Sequence, residues 1–233
     1  MESKANGEDF VAAYNRVVKH LRAICKDRSH ESYPNLVARA SRISNLVRRY
    51  RDDLLEYGEL RNAIVHDRLS PQEVIADPRP SVVEQIRRIA ELLEKPPTVI
   101  PAFSRQVVTV AAGDPVSIPL RIVRDRGYSQ FPVYDQSGRF VGLLSERAIA
   151  RWLAHHAMDA ILHLNEVSVQ DVLGFKESGQ DFAFLPRNAT VFDAQEEFAG
   201  NPKLEAILIT EAGAAGGKLL GIITAWDIVA LSQ

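Results

Sequence analysis

A repeat restricts this chain's fold more than any other feature. Gly142-Leu143-Leu144-Ser145 and Gly221-Ile222-Ile223-Thr224 lie 79 residues apart, and each ends an apolar run just where a helical pattern begins. Upstream of the first copy, residues 107–110 read as a strand and 114–126 as a helix. Residues 131–134 and 140–144 read as a hairpin across the turn Asp135-Gln136-Ser137-Gly138, and Ser145 caps a helix running through Leu153. The order returns with a strand at 183–185, a helix at 190–198, strands at 206–209 and 219–223, and a helix from Thr224. Val116 and Val191, each early in its helix, are 75 apart, so the second copy has the longer hairpin loop, 211–218. Two copies of a β-α-β-β-α unit follow, about 98–160 and 165–233.

Before Pro96-Pro97 the periodicity is helical throughout. Phe10, Tyr14, Val17, Val18, Leu21 and Ile24 form one stripe, and Leu36, Ala40, Ile43, Leu46 and Val47 a second. Leu54, Leu55, Leu60, Ile64 and Val65 mark a third helix. A fourth starts at Pro80-Ser81, with Ser81 and Glu84 spaced as a capping box. With no strand-like alternation here, the expected fold is α+β: a four-helix bundle over 1–97, then the two repeats over 98–233.

Charge narrows the function classes. Residues 1–97 carry 17 basic and 15 acidic side chains, and residues 98–233 carry 11 and 15, so the chain is no general polyanion binder. Arg48, Arg49 and Arg51 cluster at a helix junction, where cations suit the C-terminal dipole; they read as a solvated helix end rather than an RNA-facing patch. Cys25 is the only cysteine, which excludes an intramolecular disulfide and a thiolate zinc site. His155, His156 and His163 have no carboxylate at ligand spacing, so no metal is expected. The first ten residues are polar and acidic, and no apolar run approaches the roughly 18–20 residues of a membrane span. The expected location is the cytoplasm, without a membrane partner.

The stretch Gly127-Tyr128-Ser129-Gln130-Phe131-Pro132-Val133-Tyr134-Asp135, followed by Ser137-Gly138-Arg139-Phe140-Val141-Gly142-Leu143-Leu144-Ser145, resembles the CBS domain, which occurs in tandem as the Bateman module. The resemblance covers about 98–233. It implies two sheets packed together and two pseudo-symmetric clefts for adenosyl compounds such as AMP, ATP or S-adenosylmethionine. The Asp of a Ser/Thr-x-x-Asp motif would hold the ribose, and the Gly-x-x-x-Pro strand of the other copy would flank the base. Carried over here, the resemblance assigns Thr224 and Asp227 to the ribose and Tyr128, Ser129, Gln130, Phe131 and Pro132 to the base, with Val108 and Thr109 beside them. The opposite pairing lacks the Asp in Ser145-Glu146-Arg147-Ala148, and Lys203-Leu204-Glu205-Ala206-Ile207 lacks the proline that ends the partner motif, so a single site is expected. A carboxylate accepting from both ribose hydroxyls makes the stronger, charge-assisted bonds. Arg105 is a candidate for a phosphate. Thr-x-x-Asp at a helix start also fits simple capping, which is the reading for Thr190 and Asp193.

In the helical half, Arg61-Asn62-Ala63-Ile64-Val65-His66 resembles the Arg-polar-x-x-x-His motif of HEPN domains, many of which are metal-independent ribonucleases formed by paired protomers. That resemblance implies His66 as the proton-transfer group, Arg61 on the phosphate and Asn62 as an orienting residue. Three readings stand at this point. The chain is a sensor for an adenine nucleotide or S-adenosylmethionine, a nucleotide-regulated nuclease acting on RNA, or a ligand-free dimerisation scaffold. A homodimer is expected under all three.

Overall fold

Helical periodicity governs the first unit of the computed structural model, which describes residues 2–26, 31–65, 68–70, 73–74, 76–157, 162–175 and 180–230. The chain divides into two compact units, Met1–Pro97 and Thr98–Gln233. In the first, α1 (Glu2–Cys25) buries Phe10, Tyr14, Val17 and Leu21. It packs mainly on α5 (Pro80–Glu94), which buries Val83, Ile86, Ile89, Ala90 and Leu93. The larger of these side chains each contribute about 1.5–3 kcal/mol by leaving water.

The second expected helix is two. α2 (Tyr33–Ile43) stops at Ser44, whose extended backbone (φ −124°) and hydroxyl, accepting from the Val47 amide, start α3 (Asn45–Arg49) afresh. α4 (Arg51–Val65) follows, and a short antiparallel pair, β1 (Arg68–Ser70) and β2 (Glu73–Val74), precedes α5. Strands of three and two residues are too short to show a period of two, which is why no strand was expected here. The Ser81–Glu84 capping box is not used: α5 begins at Pro80, with Arg79 at the N-cap and no side-chain cap. Proline's fixed φ suits that first helical position.

The second unit is the repeat made physical. α7 (Ser117–Arg126) ends at Gly127 in the left-handed region (φ 66°) and leads into β4 (Gln130–Tyr134). β4 pairs in parallel with β3 (Val110–Ala111) and antiparallel with β5 (Phe140–Ser145). In the second copy β7 (Ala206–Thr210) likewise lies between β6 (Phe182–Pro186), parallel, and β8 (Leu219–Thr224), antiparallel. The registers match. Gln130 faces Ser145 as Ala206 faces Thr224, and both hairpins slip in the same place, between Val133 and Tyr134 and between Ile209 and Thr210.

Alternation along the strands builds three cores. Ile207 and Ile209 enter the second repeat's own core, and Phe131, Val133 and Leu144 the first's. Leu143, Ala206, Leu208 and Ile222 meet in a layer joining the two repeats. β7 is therefore buried on both faces.

Two short helices were not legible as elements. α6 (Val99–Ala102), at the head of the first repeat, puts Val99 and Phe103 into the second repeat's core. It is pinned there by pairing of Thr98 with Thr190 and of Ser104 with Gly221. Conversely, α9 (Val169–Leu173), at the head of the second repeat, puts Val169, Val172 and Leu173 into the first repeat's core. The Val169 and Gln170 amides donate to the Asp114 and Ala112 carbonyls. The repeats thus exchange their leading segments. The expected strand at 107–110 shortens to Val110–Ala111, because Val107 and Val108 pack outside the ladder.

The β4–β5 turn makes a pH prediction. Asp135 accepts from the Ser137 hydroxyl and amide (2.6 and 2.9 Å) and from the Arg139 amide and guanidinium (both 2.9 Å), while Gly138 takes φ 76°. The Ser137 hydroxyl and the Arg139 amide, aided by the other two donors, hold its carboxyl well below the usual carboxylate range. Because the folded value is the lower one, its stabilisation is complete above the unfolded pKa of about 4 and is lost as pH falls below it. Thermal melts from pH 7 to pH 3 should fall more gently for Asp135→Asn than for wild type. Parallel curves would contradict this.

Candidate functional site

The site forms where β8 gives way to α11 (Ala225–Ala230). Asp227 Oδ2 accepts from the Thr224 amide (2.7 Å) and hydroxyl (2.8 Å), the geometry of a cap. It also accepts from Arg105 Nη2 at 2.7 Å, 122 residues away in sequence. Arg105 in turn donates to the Ile222 carbonyl through Nε at 3.0 Å and also through Nη2. It can do so because the exchanged segment runs past Gly221. Burial works against the charge on Asp227, but hydrogen bonds from Arg105 and Thr224 outweigh it and hold the carboxyl below its ordinary value. Asp227 is therefore ionised at neutral pH. The Arg105 guanidinium is committed to the carboxylate rather than held free for a phosphate.

Asp193 shows the contrast. It completes a capping box with Thr190 at the start of α10 (Val191–Gly200) but does not line the cleft described below.

Across from Asp227, the start of β4 supplies Tyr128, Ser129 and Gln130. The Ser129 hydroxyl donates to Gln130 Oε1 at 2.7 Å, and the Ser129 carbonyl accepts from the Glu146 amide at 3.0 Å. These groups line one cleft of about 610 Å³, together with Arg105, Val108, Thr224, Trp226 and Asp227. That is ample for a nucleoside-sized ligand. Glu146 and Arg147 of α8 (Glu146–His155), with Lys203, Leu204 and Glu205, line the same cleft. The incomplete pairing is thus continuous with the complete one.

Of the residues expected to bind, Thr224, Asp227, Tyr128, Ser129, Gln130 and Val108 come together. Three do not line the cleft. Phe131 is fully buried in the first repeat's core, Pro132 is buried within β4, and Thr109 is exposed elsewhere. The role of Arg105 on Asp227 depends on a contact between segments far apart in sequence, which no local pattern signals. Trp226, 82% exposed at the cleft, was legible only as the second of the motif's two unspecified positions.

In the helical unit, Arg61 Nη1 donates to Asn62 Oδ1 at 3.3 Å, and His66 lies outside the described residues. No group of three or more His, Cys, Asp or Glu side chains is placed to hold a metal ion among the described residues. No helix among them is long and apolar enough to cross a membrane.

The family model of the CBS domain matches residues 98–155 and 176–233. No curated protein matches the chain. Among solved structures, a CBS-domain-containing protein of Agrobacterium tumefaciens is 19% identical over 55% of this chain and 86% of its own, with a TM-score of 0.43. The CBS domain of a CBS-domain-containing membrane protein of Sphaerobacter thermophilus is 20% identical over 64% and 97%, with a TM-score of 0.46. A CBS domain pair in complex with 5′-methylthioadenosine and S-adenosyl-L-methionine is 15% identical over 59% and 96%, also with a TM-score of 0.46.

Proposed function

From the premise that residues 98–155 and 176–233 are a tandem pair of CBS domains, we propose that their cleft binds one adenosyl ligand and that the chain is a sensor. One observation carries the reading: the carboxylate of Asp227 and the β4 entry at Tyr128, Ser129 and Gln130 share a single cleft. All three hydrogen bonds to Asp227 fall on Oδ2, and Oδ1 accepts none among the described residues. An ionised carboxylate with an available oxygen is a strong acceptor for a ribose hydroxyl. Tyr128, 44% exposed, and Val108 offer apolar surface to a purine, while Gln130 and the neighbouring backbone offer edge contacts.

The helical unit is then the part whose state the ligand reports to. Titration calorimetry with adenosine, AMP and S-adenosylmethionine tests the site. Asp227→Ala should weaken whichever ligand binds by about tenfold or more, the cost of a charge-assisted hydrogen bond. Asp193→Ala, which removes the same motif away from the cleft, should leave affinity unchanged. Equal effects from both variants would reduce Asp227 to a helix cap.

A further inference from the structure

Three helices of the second unit hold apolar side chains out to solvent. Six large hydrophobic side chains of this unit are exposed among the described residues, and four of them lie on α7, α8 and α11: Ile118, Leu153, Trp226 and Val229. The inward sides of the helices are occupied. Leu120, Ile122 and Val123 of α7 and Ile149 and Trp152 of α8 pack into or against the first repeat's core, as Val191 and Ala194 of α10 and Ile228 of α11 do for the second. The other face of each sheet is taken up by the layer joining the repeats. α11 is the extreme case. None of its residues is buried, and Trp226 and Val229, three apart and so on one side of it, are 82% and 51% exposed. Apolar side chains gathered in this way mark a surface that another surface covers.

The charges beside them indicate which one. α7 and α8 carry five arginines, Arg121, Arg124, Arg126, Arg147 and Arg151, against two acids, Asp125 and Glu146. α10 and α11 carry four acids, Asp193, Glu196, Glu197 and Asp227, and no lysine or arginine. Arg121, Arg126 and Arg151 are exposed on the first face, and Glu196 and Glu197 on the second. The whole chain has a net charge of only −2, so charge is segregated between the repeats rather than in excess. A contact between like faces would set arginines against arginines, which is costly. A contact between unlike faces matches charge as well as apolar surface. Another copy of this chain supplies the unlike face.

We propose that two copies pair head to tail about a twofold axis, with α7 and α8 of each against α10 and α11 of the other, so that the same contact is made twice. The homodimer expected from the sequence thereby acquires a surface and a direction.

Sedimentation equilibrium of the full chain without ligand tests the pairing, and hydrogen exchange below and above the association midpoint locates it. Association should protect α7, α8, α10 and α11. Trp226→Ala, at a position too exposed to put the fold at stake, should weaken association by about tenfold or more. Reversing one face with Arg121→Glu and Arg126→Glu should weaken it about tenfold, and so should Glu196→Arg and Glu197→Arg on the other face. All four substitutions in one chain should restore it. Stronger association from either single reversal would mean that like faces meet and would overturn the head-to-tail pairing. A monomer at every concentration, association that leaves the four helices unprotected, or indifference to all these substitutions would overturn the surface itself.

Discussion

Gly221→Ala should destabilise the second unit by about 3 kcal/mol or more. A Cβ at this position would lie 2.3 Å from the Phe103 carbonyl oxygen, 3.3 Å from its carbon and 3.2 Å from Ile209 Cδ1. The first two of these atoms are backbone. They cannot retreat easily, because pairing at Thr98 and Ser104 fixes that segment on both sides and Val99 and Phe103 are buried. The matching glycine of the first repeat is a natural control. A Cβ at Gly142 would meet Leu173 Cδ2 at 3.4 Å, an ordinary contact with the end of a flexible side chain. Gly142→Ala should therefore cost about 1 kcal/mol or less. Urea unfolding of the two variants compares them directly, and equal losses would mean that the close approach at Gly221 does not matter.

Val99→Asp should injure the repeat to which position 99 does not belong in sequence. Val99 is fully buried among Val191, Ile207 and Ile223. An unpaired carboxylate there costs several kcal/mol, about 5 if no water reaches it. Hydrogen exchange should show β6, β7 and β8 losing protection before β3, β4 and β5. Val172→Asp, equally buried but in the first repeat's core, should reverse that order. Loss of protection first in β3, β4 and β5 for Val99→Asp would refute the exchange of leading segments.

The hairpins were legible because their cause is local. Strands of five or six residues, a Gly138 turn and a glycine at matching points leave a pattern that survives duplication. α6 and α9 were not, since four or five residues carry too little periodicity and are held by partners far away in sequence. The break at Ser44 lay inside a continuous apolar stripe, where only the side-chain cap distinguishes one helix from two.

The site divides in the same way. Thr224 and Asp227 could be found as a short motif, and so could the run from Tyr128 to Gln130. Arg105 could not be assigned to Asp227, because the contact spans 122 residues. Glu205 and Arg147 lie in the two stretches that depart from the family pattern, and their ion pair across the cleft could not be read from either stretch alone.

The Arg105 clasp sits only eight residues after Pro97, where the first unit ends. A ligand hydroxyl that takes Oδ1 of Asp227 would therefore bear on the same carboxylate that clasps the stretch of chain leaving the helical unit. Thermodynamic reciprocity makes that route two-way: whatever tightens or loosens the stretch from Thr98 to Arg105 must change ligand affinity by the same factor that the ligand imposes on it.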